Sequence, residues 1–273
     1  MTIEGFMFDV DGTLLLSDRS LGGYELLPGA VEVLGALKER SVPFALLTNG
    51  SAYPPQEQAA KLRGIGLPIE DSQMITPSSV MADHASRLGM KRVLVLGTRG
   101  VGQALRDAGV QTVYTGESDA SQVDAVYVGW HPDCGMKDIE AACNAIWNGA
   151  KLYAASDVPF FATKQGRTIG YTFAILGAIR RLTKAPVILT GKPSLRALRF
   201  VANRLRVPLR RMCVVGDDPI VEAVMAQRAG ATMFAVTTGT TSLEEWRQQP
   251  ARRRPHRVLD GLRDLLKSEI GVP

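Results

Sequence analysis

At ~150 residues per domain, 273 residues make about two domains, and 45% hydrophobic with 22% charged residues is a globular composition that excludes disordered and collagen-like chains. Lys and Arg outnumber Asp and Glu by 32 to 27, a mild net charge of +5. Part of it sits in Arg247, Arg252, Arg253, Arg254 and Arg257 with no aromatic residue among them, so a solvated loop and helix start is expected there, and no nucleic-acid partner.

In chain order, Ile3–Val10 is an apolar run ending in Asp-Val-Asp-Gly-Thr, a buried strand and a turn. Pro28–Arg40 places Val31, Val33, Leu34 and Leu37 at helical spacing behind Pro-Gly, Val42–Leu47 is a second strand, and Gln56–Leu62 a helix closed by Gly64. This β-α-β-α order is that of a parallel sheet. A second set follows: strands at Arg92–Leu96, Gln111–Tyr114, Ala125–Val128 and Lys151–Ala155, with helices at Gly100–Ala108, Met136–Asn148 and Gly170–Leu182. The last stretch returns to the opening style, with strands at Val187–Thr190, Met212–Val215 and Thr232–Val236 and helices at Leu195–Leu205, Ile220–Ala229 and Leu259–Ser268. Soft joints at Thr76-Pro77-Ser78-Ser79 and Lys184-Ala185-Pro186 bracket an inserted domain over 78–186, leaving 1–77 and 187–273 as the core. The fold class expected is α/β, a Rossmann-like doubly wound parallel sheet carrying a smaller α/β insert.

No apolar run approaches the ~18 residues that cross a bilayer, so no membrane partner is expected. The N-terminus has no basic stretch ahead of an apolar one, unlike a signal peptide. Cys134, Cys143 and Cys213 are odd in number and follow neither CxxC nor CxxH spacing, which reads as a reducing, cytoplasmic setting without a disulfide framework or zinc.

Three strands deliver polar residues at their C-terminal ends: Asp9 and Asp11, Thr48 and Asn49, and Asp217 and Asp218. In a parallel α/β sheet all such ends open on one edge, where ligands bind. Four carboxylates there repel one another unless a divalent cation compensates them, and hard oxygen donors suit Mg²⁺. Lys192, between Gly191 and Pro193, adds a fixed positive charge. Each piece alone has an ordinary explanation as a turn, a helix cap or a surface lysine. Together they are what a phosphoryl group needs in transfer.

The segment Phe8-Asp9-Val10-Asp11-Gly12-Thr13-Leu14 resembles motif I of the haloacid dehalogenase-like (HAD) superfamily. Leu47-Thr48-Asn49-Gly50-Ser51 is similar to motif II, Gly191-Lys192-Pro193-Ser194 to motif III, and Val215-Gly216-Asp217-Asp218 with Glu222 to motif IV. Order and spacing resemble the branch with a large α/β cap inserted after motif II, the NagD-like, 4-nitrophenylphosphatase-like and pyridoxal phosphatase-like proteins. Three positions depart from that pattern. His131 stands where an acidic residue is usual, Ala155-Ser156-Asp157 where Thr-Asn-x-Asp is usual, and the later acid of motif IV is Glu222. The first two lie in the cap and bear on the substrate.

The resemblance implies a phosphatase of small phosphorylated metabolites working through an aspartyl-phosphate. Asp9 is then the nucleophile and Asp11 the general acid and base. Thr48 with the amides of Asn49 and Gly50 holds phosphate oxygens, and Lys192 neutralises charge. Mg²⁺ is held by the Asp9 carboxylate, the Asp11 carbonyl and Asp217, with Asp218 and Glu222 placing its waters. Relatives dimerise through the cap, which makes a homodimer an expectation. The cap loop Ser156–Lys164 is expected to face the site in relatives' fashion, with Asp157, Phe160, Phe161 and Lys164 as specificity candidates. Two other readings stay open from the sequence: a protein that senses a phosphorylated metabolite without turnover, and a phosphotransferase or mutase.

Overall fold

Strand runs with every residue apolar belong in a sheet covered on both faces, and the chain builds two of them. The computed structural model describes residues 2–18, 23–117, 119–163 and 166–268, with the backbone alone at 161–163, 166–167 and 267–268. Its strands are β1 (Gly5–Phe8), β2 (Leu15–Ser17), β3 (Tyr24–Leu26), β4 (Phe44–Leu47), β5 (Met74–Ile75), β6 (Arg92–Leu96), β7 (Gln111–Val113), β8 (Ala125–Val128), β9 (Lys151–Ala154), β10 (Phe160–Thr163), β11 (Gly166–Ile169), β12 (Val187–Leu189), β13 (Met212–Gly216), β14 (Thr232–Val236) and β15 (Arg257–Leu259). The core sheet runs β15-β14-β13-β1-β4-β5 and the cap sheet β12-β9-β8-β6-β7, all pairs parallel. From β1 the chain winds outward through β4 and β5, then returns to wind the other way through β13, β14 and β15. The switch point lies between β1 and β13, where an open α/β sheet leaves a crevice beyond the strand ends.

Alternation along the strands divides each core in two. Phe6, Phe8 and Leu46 face the helices Ala30–Glu39 and Leu262–Ser268, while Met7, Leu47 and Val214 face Leu195–Leu205, Glu222–Ala229 and Trp246. In the cap, Leu94, Val126 and Leu152 pack on helices Met136–Trp147 and Tyr171–Thr183, and Val93, Tyr127 and Tyr153 on Pro77–Arg87 and Arg99–Asp107.

Several expectations are corrected. Thr76-Pro77-Ser78-Ser79 is no loose joint but a helix start: Thr76 Oγ1 accepts from Ser79 N at 3.4 Å and Pro77 takes the first turn. The helix it opens is shared, since Val80 enters the core cluster and Met81, Ala82 and Ala85 the cap cluster. The boundary expected at 187 gives Val187–Leu189 to the core, whereas that strand pairs with β9 in the cap sheet. Leu259–Ser268 divides into the end of β15 and a helix from Leu262. Of the loop expected over 156–164, Phe160–Thr163 forms a hairpin strand with Phe160 opposite Ile169, and Lys164 lies outside the described residues. Around the arginines stand a helix Leu243–Arg247, a single 3₁₀ turn Ala251–Arg253 and β15.

The Tyr127 hydroxyl ties both chain crossings together, 3.5 Å from Ser78 Oγ and 3.3 Å from Thr190 Oγ1. Trp246 closes the loop after β14: it is 1% exposed, and its Nε1 donates to Val236 O at 3.3 Å. Removing so large a buried ring leaves a cavity and frees the loop, so Trp246→Ala is expected to lower stability by about 3–5 kcal/mol, read as a fall in the urea unfolding midpoint. A shift under a third of that would mean the ring does not anchor this loop.

Candidate active site

The backbone of β1 stops pairing at Asp9, whose N–H still donates to Val215 O at 2.9 Å across the switch point. This sets the buried Asp9 carboxylate beside the end of β13, where Asp217 follows Gly216. Lys192 reaches in from the turn after β12, 3% exposed, and its Nζ donates to Asp9 Oδ1 and, at 2.8 Å, to Glu222 Oε1. Burial works against its charge, but Asp9 and Glu222 outweigh burial and hold the ammonium above its ordinary pKa.

Asn49 locks that lysine from behind. Its Oδ1 accepts from Lys192 N at 2.7 Å and its Nδ2 donates to Lys192 O at 3.1 Å. The Asn49 side chain is thus spent on the lysine backbone, and the Asn49 backbone amide is the group expected at phosphate. Gly50 N, also expected at phosphate, donates to Thr48 Oγ1 at 2.9 Å.

Asp217 sits in a cradle of two glycines. Gly12 has φ +86°, and a Cβ there would stand 2.5 Å from Asp217 Oδ2; a Cβ on Gly239 would meet the same oxygen closer still. Only residues without a side chain allow this approach. Thr240 N donates to Asp217 Oδ2 at 2.7 Å.

Asp11 lies two residues beyond Asp9 and accepts a hydrogen bond from Ser17 Oγ. Burial pushes its carboxyl up to about 6, against the pull of the Ser17 hydrogen bond. Burial with the nearby Asp9 charge pushes Asp217 up to about 7. Burial also raises Asp218 and Glu222, the latter well above the carboxylate range in spite of Lys192. Among the described residues five carboxylates and one lysine line this cleft. Donor oxygens of Asp9, Asp217 and Glu222 lie within 4.8 Å of one another, all buried. An all-oxygen set of this kind fits a hard divalent cation, whose charge would offset the repulsion that adds to burial in raising these carboxyls. Glu222 is the less available donor, since Oε1 takes Lys192 and Oε2 accepts from Asp218 N at 3.2 Å.

The cap closes the cleft with Trp130, Ser156, Val158, Phe160 and Tyr171. Trp130 and Tyr171 meet edge to face at 4.6 Å, and Trp130 N donates to Ser51 Oγ at 3.0 Å. Phe160 is half-exposed at the mouth, and its strand comes alongside β2, which carries Ser17. Asp157 is absent from the lining; its carboxylate lies 3.7 Å from Arg180 Nη1. The Phe161 side chain and Lys164 lie outside the described residues. Sequence reading missed Ser17, Thr240, Gly239, Trp130 and Tyr171.

A family model described as haloacid dehalogenase-like hydrolase matches residues 6–111, and a second, described as HAD-hydrolase-like, matches residues 189–265. The chain is 26% identical to a 5′-nucleotidase of Bacillus subtilis over 97% of this chain and 98% of that one. It superposes on a 4-nitrophenylphosphatase of Thermotoga maritima with TM-score 0.86 and 28% identity, covering 97% of each chain. A glycerol phosphate phosphatase of Mycobacterium tuberculosis, solved in complex with magnesium, matches with TM-score 0.84 and 26% identity over 96% of this chain and 76% of that one.

The raised carboxyls carry a sign. Asp217 folds with a pKa of about 7 against an ordinary 3.8, so the folded chain holds a proton there that the unfolded chain has lost. Without metal, stability therefore falls as pH rises from about 4 to 7. Asp217→Asn, which cannot ionise, is expected to raise the melting temperature in EDTA at pH 8 and to change it less at pH 5. Equal changes at both pH values would remove Asp217 as the source of strain.

Proposed function

We propose that this chain, which belongs to the haloacid dehalogenase-like hydrolases and is a phosphoric monoester hydrolase, acts with Mg²⁺ on a small phosphorylated metabolite through a phosphoryl group carried on Asp9. The observation that carries this reading is the meeting of Asp9, Asp11, Lys192 and Asp217 at one switch point. Asp9 and Asp217 would hold the metal by their carboxylates and Asp11 by its carbonyl, with Asp218 and Glu222 behind them. When bound, Mg²⁺ supplies positive charge against the phosphoryl oxygens.

A carboxylate oxygen of Asp9 attacks phosphorus while the bond to the leaving oxygen breaks, and Asp11 gives that oxygen its proton. The Asp11 carboxylate then takes a proton from water, whose oxygen attacks phosphorus and breaks the bond to Asp9, freeing inorganic phosphate. Lys192 pairs with the Asp9 carboxylate at the point of attack, and Asn49 keeps Lys192 in place. Because Thr48 Oγ1 already accepts from Gly50 N, its own proton is left to donate to a phosphate oxygen. A carboxyl raised to about 6 is an acid matched to neutral pH, the condition for general catalysis. Trp130, Phe160 and Tyr171 supply an apolar wall for the leaving group.

The test is a panel of phosphomonoesters, 4-nitrophenyl phosphate included, assayed with Mg²⁺ and with EDTA. Turnover is expected with Mg²⁺, none with EDTA, and none in Asp9→Asn. Metal-free turnover, or phosphate release by Asp9→Asn, defeats the reading, and dependence on a phosphate acceptor would favour a transferase. Ser17 tunes the acid: its hydrogen bond stabilises the Asp11 carboxylate, so losing it keeps Asp11 protonated to higher pH. In Ser17→Ala the alkaline limb of the kcat/KM profile is expected to move up. A limb that stays or moves down would separate Ser17 from Asp11.

A further inference from the structure

The turn between β8 and the helix Met136–Trp147 gathers a second group of metal-ligating side chains, remote in chemistry from the carboxylate site. His131, Cys134 and Asp138 are partly buried, and one donor atom of each lies within 4.8 Å of the others. His131 Nε2 stands 3.6 Å from Asp138 Oδ2, their side chains 19% and 17% exposed. Around a tetrahedral ion with bonds of ~2.0–2.3 Å, donor atoms stand about 3.3–3.8 Å apart, so the trio needs little closure. A helix-capping role accounts for Asp138, whose Oδ2 accepts from Gly135 N at 2.8 Å. It accounts for neither the imidazole nor the thiol beside it.

We propose that His131, Cys134 and Asp138 form a site for a borderline divalent transition metal of the Zn²⁺ class, with the fourth position open to water. Mixed nitrogen, sulfur and oxygen donors select such an ion, whereas Mg²⁺ demands oxygen and belongs in the carboxylate site. Binding replaces the Cys134 S–H proton, released to solvent, by a metal–thiolate bond. The spacing is His-x₂-Cys-x₃-Asp, which a search for CxxC or CxxH passes over, so the proposed site departs from the expectation of no zinc. The ion would pin the turn that follows Trp130 to the first turn of the helix. Trp130 lines the catalytic cleft, so the pin lies one residue from the substrate wall.

Cobalt(II) tests this, because a thiolate ligand gives it a near-ultraviolet charge-transfer band that oxygen ligands do not. With excess Mg²⁺ present, the wild-type chain is expected to develop this band and saturate at one equivalent of Co²⁺. Cys134→Ser should abolish the band, and Asp217→Asn should keep it. His131→Gln, which retains the thiol, should weaken Co²⁺ binding by more than the ~10–100-fold that follows loss of an outer-sphere partner. No band in the wild type, a band surviving Cys134→Ser, or unchanged Co²⁺ affinity in His131→Gln would each overturn the site. Should Cys134→Ser not fold, the His131→Gln titration decides alone.

Discussion

Among the described residues, five carboxylates facing one lysine at a buried sheet edge is the constraint on which the rest of this molecule is arranged. Burial, with like charges crowded beside it, raises the carboxyls of Asp11, Asp217, Asp218 and Glu222 above their ordinary pKa. Lys192 offsets part of the repulsion, which is why its backbone is fixed at both N–H and C=O by Asn49. What the lysine leaves uncompensated is the affinity of the site for a cation and a strain in its absence.

The parallel sheet makes this concentration of charge affordable in geometry. Two strands that point the same way end side by side, so Asp9 and Asp217 arrive together without any loop having to carry them. Bare backbone at Gly12 and Gly239 then lets the chain close on Asp217 from both sides, and Thr240 N finishes the cradle. Trp246 anchors the loop that brings Gly239 and Thr240 there, linking a core ring to a site hydrogen bond.

Strands such as β1, β4 and β13 were legible because continuous apolar runs ending in polar residues have few other uses, and the same ends named Asp9, Thr48, Lys192 and Asp217. Local patterns fail where tertiary pairing decides. Val187–Leu189 reads as a strand, but nothing in it says that its ladder partner is β9 and not the core. Thr76-Pro77-Ser78-Ser79 carries linker composition and helix-cap chemistry at once, and burial of Val80 and Met81 on two sheets resolves it. Leu15–Ser17 is three residues long, too short for a periodicity, so Ser17 emerged only when its hairpin brought it to Asp11. The cap residues were the hardest. Asp157, chosen for its charge, pairs with Arg180, whereas Trp130 and Tyr171, unremarkable in sequence, meet over the cleft.

The cap does more than cover the phosphoryl group. On the proposed function the core residues would touch only groups common to every phosphomonoester, which would leave the choice among leaving groups to the cap lining of Trp130, Phe160 and Tyr171. The strand that carries Phe160 also lies alongside β2, and β2 holds Ser17 against Asp11. Burial is the largest influence on the Asp11 carboxyl. If Asp11 is the acid proposed above, a leaving group that filled the aromatic wall would exclude water from the cleft and favour the protonated carboxyl. A poorly fitting one would leave water there and favour the ionised carboxyl. On this reading fit in the cap and acid strength in the core would vary together, and selectivity would enter through kcat as well as through KM.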